Sequence, residues 1–554
     1  MKVVNTIVPS VDGKGLMLGR PAYTDDLAEK NSLIVKVLRS PHPYAKILEI
    51  DYKEANELPG VELILTHKDF KRTPFTRAGQ GYPEPSPHDK FVLDEYVRHI
   101  GDEVCAVAAV TNEIAIEALK LIKVKYEVLE PILDFETALD NENLIHPEPE
   151  IHEMFPIGFD PKRNLAAAYQ MEVGNAAEDV AKCEVTLEQS FYTQAQAHAM
   201  MEPFTVNARL DYMDRLVIYS STQTPIHVRR ILSQTLEIPL SRIRVIKPRV
   251  GGGFGGKQAL HGEMLVCSVT LRTGKPSKMV YTREEVFEST YSRHPMRFDV
   301  KLGATKDGVL KAIDCYVLSD TGAYGEHALT VFMVAGSKVL PLYNKVDSVR
   351  FHGHVVYTNH TPGSAFRGYG AIQGNFAIES AISMLVDKLG MDPVEFRDKN
   401  MIKLNDFLNI TEYETGHIEV VHQQDVYGKT AISLEVYGFE FNKLICVYDI
   451  VSQEVLEIIA KDDAAGKSYV WQTDEIKGLG NYRDYLIELE AEEDILEKAE
   501  AIFFNKPYDS RIVVPIDIKD EDFLLYAKAA HKLDITINEF MEKAIQEMVE
   551  KYKG

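Results

Sequence analysis

The chain has 554 residues, 45% of them hydrophobic and 26% charged, room for about three or four domains with ordinary cores. A net charge of −23 argues against a nucleic-acid-binding surface as the main function, while a local small-ligand pocket can still oppose that field. The five cysteines (Cys105, Cys183, Cys267, Cys315 and Cys446) lie far apart with no CxxC pair, which is poor material for a zinc site or an iron–sulfur cluster.

Such sparse thiols suit a reducing cytoplasm. Residues 1–5 open without a long apolar run, and nowhere do about 18 apolar residues follow one another, so neither a secretory leader nor a membrane span is expected.

Residues 1–135 read as mixed α and β. Segments 33–38 and 104–110 are apolar and strand-like, and Thr111 is placed to cap a helix carrying Ile114, Ala118, Leu121 and Ile122 on one face. A loop rich in Pro, Gly and charge over 72–90 separates these strands. Residues 136–165 repeat Pro, Glu and Asn and read as an extended linker.

From 166 to 405 strands and helices mix. Residues 216–220 form a strand. Thr224-Pro225 opens a helix in the cap-then-proline manner, running to Leu236 and stopping before Pro239. Residues 242–248 are strand-like and lead into Val250-Gly251-Gly252-Gly253-Phe254-Gly255-Gly256-Lys257-Gln258. A helix-like run over 258–273 ends at Gly274 and Pro276, and another over 373–389 ends at Gly390, with Asp392-Pro393 starting the next.

Composition changes near residue 405. Residues 411–554 carry 15 Lys and Arg against 31 Asp and Glu, and hold the single tryptophan, Trp471. Within 406–510 an acidic α+β region is expected, with strands over 431–437 and 444–451 and a helix near 488–503. Residues 511–554 read as strand, helix and capped helix, an order that resembles a ribbon-helix-helix module. Its alternating strand positions, Arg511, Pro515, Asp517 and Lys519, are a weak set for reading DNA. A structural tail, or one that makes a homodimer, is expected instead.

Five glycines in the six positions 251–256 leave backbone N–H groups without Cβ shielding. A strand, bare amides and then a helix N-terminus together make an anion site. As a phosphate loop, Gly251, Gly256 and Lys257 have the right spacing, but Gln258 stands where a magnesium-ligating Ser or Thr is needed. As a dinucleotide turn, Gly251, Gly253 and Gly256 satisfy GxGxxG. The acid due about 20 residues on is missing, however, since the next acids after 272–277 are Glu284 and Glu285.

The neighbouring motifs favour a different ligand. Thr222-Gln223-Thr224-Pro225, the glycine turn, Asp320-Thr321-Gly322-Ala323-Tyr324 and Ala365-Phe366-Arg367-Gly368-Tyr369-Gly370 follow in that order. Together they resemble the molybdenum-binding large subunit of the xanthine dehydrogenase/aldehyde oxidase family. Gly19-Arg20-Pro21-Ala22-Tyr23-Thr24-Asp25-Asp26 and Leu38-Arg39-Ser40-Pro41-His42 are similar to its hammerhead domain, and Leu389-Gly390-Met391-Asp392-Pro393 to the end of its first cofactor domain.

Over residues 1–405 the resemblance implies an α+β multidomain protein. A hammerhead α/β domain (1–135) and a linker (136–165) precede the first molybdopterin-binding α+β domain (166–405), and the small acidic α+β tail ends strand–helix–helix. In that family a pterin-held molybdenum hydroxylates an aldehyde or N-heterocycle, and electrons leave through FAD-binding and 2Fe–2S subunits or domains. The implied cofactor is molybdopterin in a dinucleotide form, with neither iron–sulfur nor FAD in this chain.

By matching motif, Gln223, Gly253, Phe254, Gly255 and Arg367 bind the cofactor, with Gln258 and Tyr369 toward the substrate. Plainer readings stand beside these: Gln223 as a turn residue, Tyr369 as core, Arg367 as the partner of an acid. His294, between Arg293 and Pro295, reads as structural.

The family continues with a second molybdenum-binding domain that supplies a GQG-type loop and the base glutamate of a VGE-type motif. Gly478-Leu479-Gly480 and Gly428-Lys429 have the wrong surroundings, so no catalytic residue and no metal ligand is named. Two functions stay open. One is an oxidoreductase subunit completed by another chain; the other is a non-catalytic binding or assembly protein, truncated or fused.

Overall fold

The computed structural model describes residues 10–79 and 81–402 and, beyond them, the strands Gln424–Val426, Lys429–Val436, Asn442–Asp449, Val455–Asp462 and Lys467–Gln472. The chain divides into two compact units, Met1–Lys403 and Leu404–Gly554.

In the first unit a seven-stranded sheet runs in the order Ile243–Ile246, Leu216–Ser220, Thr205–Leu210, Ser277–Val280, Leu33–Arg39, Glu103–Ala109 and Val61–Leu65. The N-terminal strands and the strands beyond residue 200 therefore share one hydrogen-bonded sheet. Leu33–Arg39 joins them, pairing antiparallel with Glu103–Ala109 and parallel with Ser277–Val280. Leu33, Val35 and Val37 alternate into the core, the period of a strand with one covered face.

Thr111 does cap the helix Asn112–Leu121, accepting the N–H of Ile114. Helices Pro225–Thr235 and Glu263–Thr273 cover the other end of the sheet through Ile231, Leu232, Leu265 and Val269. The loop over 72–90, whose charge suggests solvent, is largely interior. Arg77, Glu84, His88, Asp89 and Lys90 are all buried.

A second sheet has five strands in the order Leu165–Val173, Ser348–Tyr357, Leu310–Gly322, Met296–Ala304 and Val185–Thr193. The Leu310–Gly322/Ser348–Tyr357 pair is parallel and the others antiparallel. Helix Ala371–Leu389 buries Ala377, Ile378, Ala381, Ile382, Leu385 and Val386, an i, i+1, i+4, i+5 stripe. Gly390 ends that helix in the left-handed region.

The 136–165 segment, expected as an extended linker, packs side chains into this core. Ala138, Ile145 and Ile157 are buried there, the two isoleucines contributing roughly 1.5–3 kcal/mol each of apolar burial.

The glycine turn does not open straight onto a helix. A single 3-10 turn, Gly256–Gln258, follows it, and the α-helix begins only at Glu263, whose carboxylate is buried in the first turn. The expected pairing of bare amides with a helix N-terminus is therefore corrected: an acidic side chain already occupies that N-terminus.

In the second unit the described strands form a five-stranded antiparallel meander, each pairing with the next. Lys429–Val436 and Asn442–Asp449 fall where strands were expected. The expected helix near 488–503 and the 511–554 module lie outside the described residues. Among the described residues no helix is long and apolar enough to cross a membrane.

Candidate active site

The site is built where two loops cross. The strand Ile243–Ile246 delivers the chain to Arg249, whose N–H donates to Ala22 O at 3.0 Å, so the N-terminal Gly19–Asp26 motif steadies the start of the glycine turn. Within the turn Gly252, Phe254 and Gly255 have φ of 103°, 53° and 101°. Phe254 carries a side chain in the left-handed region, a conformation that costs roughly 1–2 kcal/mol, and its ring is left exposed.

Close approach explains the neighbouring glycines. A Cβ on Gly253 would lie 2.5 Å from Gln223 Oε1, and one on Gly255 would lie 2.5 Å from the Ala365 carbonyl oxygen.

Gln223 is bound to this turn twice. Its N–H donates to Lys257 O at 2.7 Å, and its Oε1 accepts the N–H of Gly255 at 3.1 Å. With that oxygen accepting, the Nε2 of this exposed side chain has no hydrogen-bond partner among the described residues. Thr224, expected as a helix cap, makes no side-chain cap. Its hydroxyl donates to Gln258 O at 3.0 Å, so the helix start is tied to the glycine turn instead.

The second loop, Ala365 to Gly370, joins the first through Arg367 N–H, which donates to Phe254 O at 2.8 Å. The Arg367 side chain is exposed. Phe366 lies between the Arg293 guanidinium, 4.1 Å from its centroid, and the His198 ring, stacked at 4.3 Å. Arg293 also donates to the carbonyl of Arg367 at 3.1 Å.

The structure thus brings Gln223, Gly253, Phe254, Gly255 and Arg367 into one cluster. Gln258 and Tyr369 flank it. Both are half-buried, and Tyr369 packs on the second sheet's core with its ring 6.5 Å from His327.

Other motif residues hold the fold. Asp320 accepts the N–H of Gly322 at 2.7 Å and the hydroxyl of Thr358 at 2.8 Å. His294 is fully buried, and burial pulls its imidazole down to about 4, so it stays neutral and structural.

Three residues at the site carried no readable sequence signal: His198, Glu202 and the role of Lys257. Glu202 Oε2 accepts from Gly251 N–H and from Lys257 Nζ, both at 2.7 Å. Lys257 is fully buried, and desolvation lowers its ammonium below the usual lysine value while Glu202 opposes that shift. Its position after paired glycines fits a phosphate-loop lysine, but a buried ammonium needs a carboxylate, and Glu202 supplies it from a separate segment.

The cluster offers peptide N–H groups, a primary amide and a guanidinium. Among the described residues no group of three or more His, Cys, Asp or Glu is placed to hold a bare metal ion. These donors fit oxygen atoms on an organic or oxo-bearing group, which they can bind without competing as ligands.

Comparison with known proteins identifies the family in which these loops stand. The model of the aldehyde oxidase and xanthine dehydrogenase a/b hammerhead domain matches residues 18–130, and that of the molybdopterin cofactor-binding domain matches 159–401. The chain is 36% identical over 426 residues to the probable hypoxanthine oxidase XdhD of Escherichia coli (strain K12), covering 73% of this chain and 44% of that protein. It is 31% identical over 434 residues to the nicotinate dehydrogenase large molybdopterin subunit of Eubacterium barkeri, covering 78% of this chain and 96% of that one.

Among solved structures, quinoline 2-oxidoreductase from Pseudomonas putida 86 superimposes with a TM-score of 0.63 at 28% identity, covering 73% of this chain and 50% of that chain. The chain spans about half the length of the hypoxanthine oxidase and xanthine dehydrogenase relatives it matches. With both domains matched in order and nearly the whole of one relative covered, the chain belongs to the molybdenum-binding large-subunit family of xanthine dehydrogenases and aldehyde oxidases.

Proposed function

We propose that this chain is the cofactor-holding half of a molybdenum hydroxylase acting on an aldehyde or an N-heterocycle, completed by a second polypeptide. The observation that carries this reading is the crossing of the two loops, Gln223 to Gly255 and Phe254 to Arg367, with the outward donors exposed.

When bound, the cofactor supplies the two-electron redox chemistry that places a water-derived oxygen on an electron-poor carbon. The chain's own residues bind and orient. Gln223 presents Nε2–H donors because its oxygen is already held, and preorganised donors cost little reorganisation. Gly253 and Gly255 let the turn close on Gln223 and on Ala365, which sets these donors in place with the Phe254 ring alongside. Arg367 adds a cation to a strongly acidic chain. Tyr369 offers a ring face to a flat substrate, and Gln258 a neutral amide to its polar edge.

The dinucleotide form of the pterin, FAD-binding and 2Fe–2S partner subunits, and a cytoplasmic setting complete the proposal. A second polypeptide is favoured by the 96% coverage of a relative that is itself named a large molybdopterin subunit.

The test is dye-linked oxidation of a panel of aldehydes and N-heterocycles by the chain purified with a polypeptide that carries the second domain. Turnover that Gln223→Ala diminishes without unfolding supports the proposal. No turnover and no bound molybdenum favours the non-catalytic binding protein.

A further inference from the structure

Residues 198–202 run between the two cofactor-facing loops and hold both. At one end His198 Nε2 bonds to the Ala365 carbonyl at 2.7 Å and the ring stacks on Phe366. At the other end the contacts to the glycine turn are reciprocal. Glu202 N–H donates to Gly251 O at 3.0 Å, and Glu202 Oε2 accepts from Gly251 N–H and Lys257 Nζ.

Between them Ala199 has φ of 48°, a left-handed conformation that an alanine adopts only against resistance. That reversal lets a five-residue stretch aim His198 at one loop and Glu202 at the other. Met200, buried in the first sheet's core, anchors the stretch, and Arg283 Nη2 donates to the carbonyls of Met200 and Met201.

We propose that this segment is a brace that sets the spacing of the glycine turn against the Ala365 to Gly370 loop, with His198 and Glu202 as positioning residues for the donors above. The consequence for cofactor retention rests on the function proposed above, whereas the mechanical coupling of the two loops does not.

Hydrogen–deuterium exchange on the full chain separates the two. Glu202→Gln keeps an acceptor for Gly251 N–H but removes the charge that holds Lys257. We expect exchange to rise about fivefold or more over 251–257 and also over 364–369, which Glu202 does not touch, with the strand Met296–Ala304 unchanged. The double variant Glu202→Gln/Lys257→Met, which leaves no buried charge alone, supplies a folded protein if the single variant does not fold, and should show the same paired rise.

His198→Phe keeps the stack but not the hydrogen bond, and should loosen both loops in turn. Exchange that rises only in the loop each residue contacts, or in neither, overturns the brace.

Molybdenum content is read in parallel. Wild-type protein without molybdenum contradicts the proposed function and leaves the exchange result standing. Loaded wild type, with variants that loosen yet retain full molybdenum, overturns the positioning role.

Discussion

Gln223 Oε1 accepts the amide proton of Gly255 at 3.1 Å, so the glutamine reaches the surface with its oxygen committed and its amide nitrogen without a hydrogen-bond partner among the described residues. A turn amide is thereby used as scaffold, and the side chain it fixes becomes the outward donor. Only a residue with an acceptor on one atom and a donor on the next fills both roles.

Replacing Gln223 separates those roles. Gln223→Ala removes one hydrogen bond at an exposed position, so stability should fall by only about 1 kcal/mol in a denaturant titration. Bound molybdenum should drop several-fold. Gln223→Glu should preserve stability, since a carboxylate accepts the Gly255 proton, yet lose molybdenum as Ala does because it has no proton to offer. Full retention by the glutamate variant would remove the donor role.

Two glycines in the left-handed region make a matched comparison. At Gly255 a Cβ would strike the Ala365 carbonyl, while at Gly274, with φ of 68°, it meets nothing within 4 Å. Gly255→Ala should cost roughly 2–4 kcal/mol, strain plus collision, and Gly274→Ala about 1 kcal/mol of strain alone. Equal losses in chemical denaturation would mean that the loops do not press together.

Much of this arrangement was legible in the sequence. Strand 216–220, the stops at Gly274 and Gly390 and the Thr111 cap depend on neighbours within a few residues, which a single chain displays. The cluster of Gln223, Phe254 and Arg367 came from motif order. The helix after the glycine turn began five residues late because His261 N–H and Ser220 satisfy the Glu263 carboxylate, a tertiary fact. Glu202 and Lys257 were illegible for the same reason: a lysine shows a partner 55 positions away only once the chain between them has folded.

Glu263 makes stability depend on pH. Its carboxyl is fully buried, and desolvation raises it from 4.5 to about 7. The folded state therefore holds this proton more tightly than the unfolded chain. The associated stability is complete below pH 4.5 and is lost as pH rises through about 7. Unfolding titrations across this range should show wild type losing about 3 kcal/mol relative to Glu263→Gln. A constant difference would contradict the burial argument.

Arg77 and Glu326 form a buried pair at 2.5 Å that ties the 72–90 loop to the chain beyond the second sheet's long strand, Leu310–Gly322. Arg77→Met should destabilise the protein by about 3–5 kcal/mol by leaving a carboxylate unpaired, and Arg77→Met/Glu326→Leu should recover most of it. A double-mutant cycle with no coupling would show that the pair does not act as one.

Metal analysis of the intact chain tests the central claim most directly. The chain should be isolated from its own cells under native conditions with molybdate supplied. Near one molybdenum per chain, co-purifying with a polypeptide that bears a VGE-type glutamate, is the predicted result. Protein free of molybdenum, from cells whose other molybdenum–pterin enzymes are loaded, would contradict it.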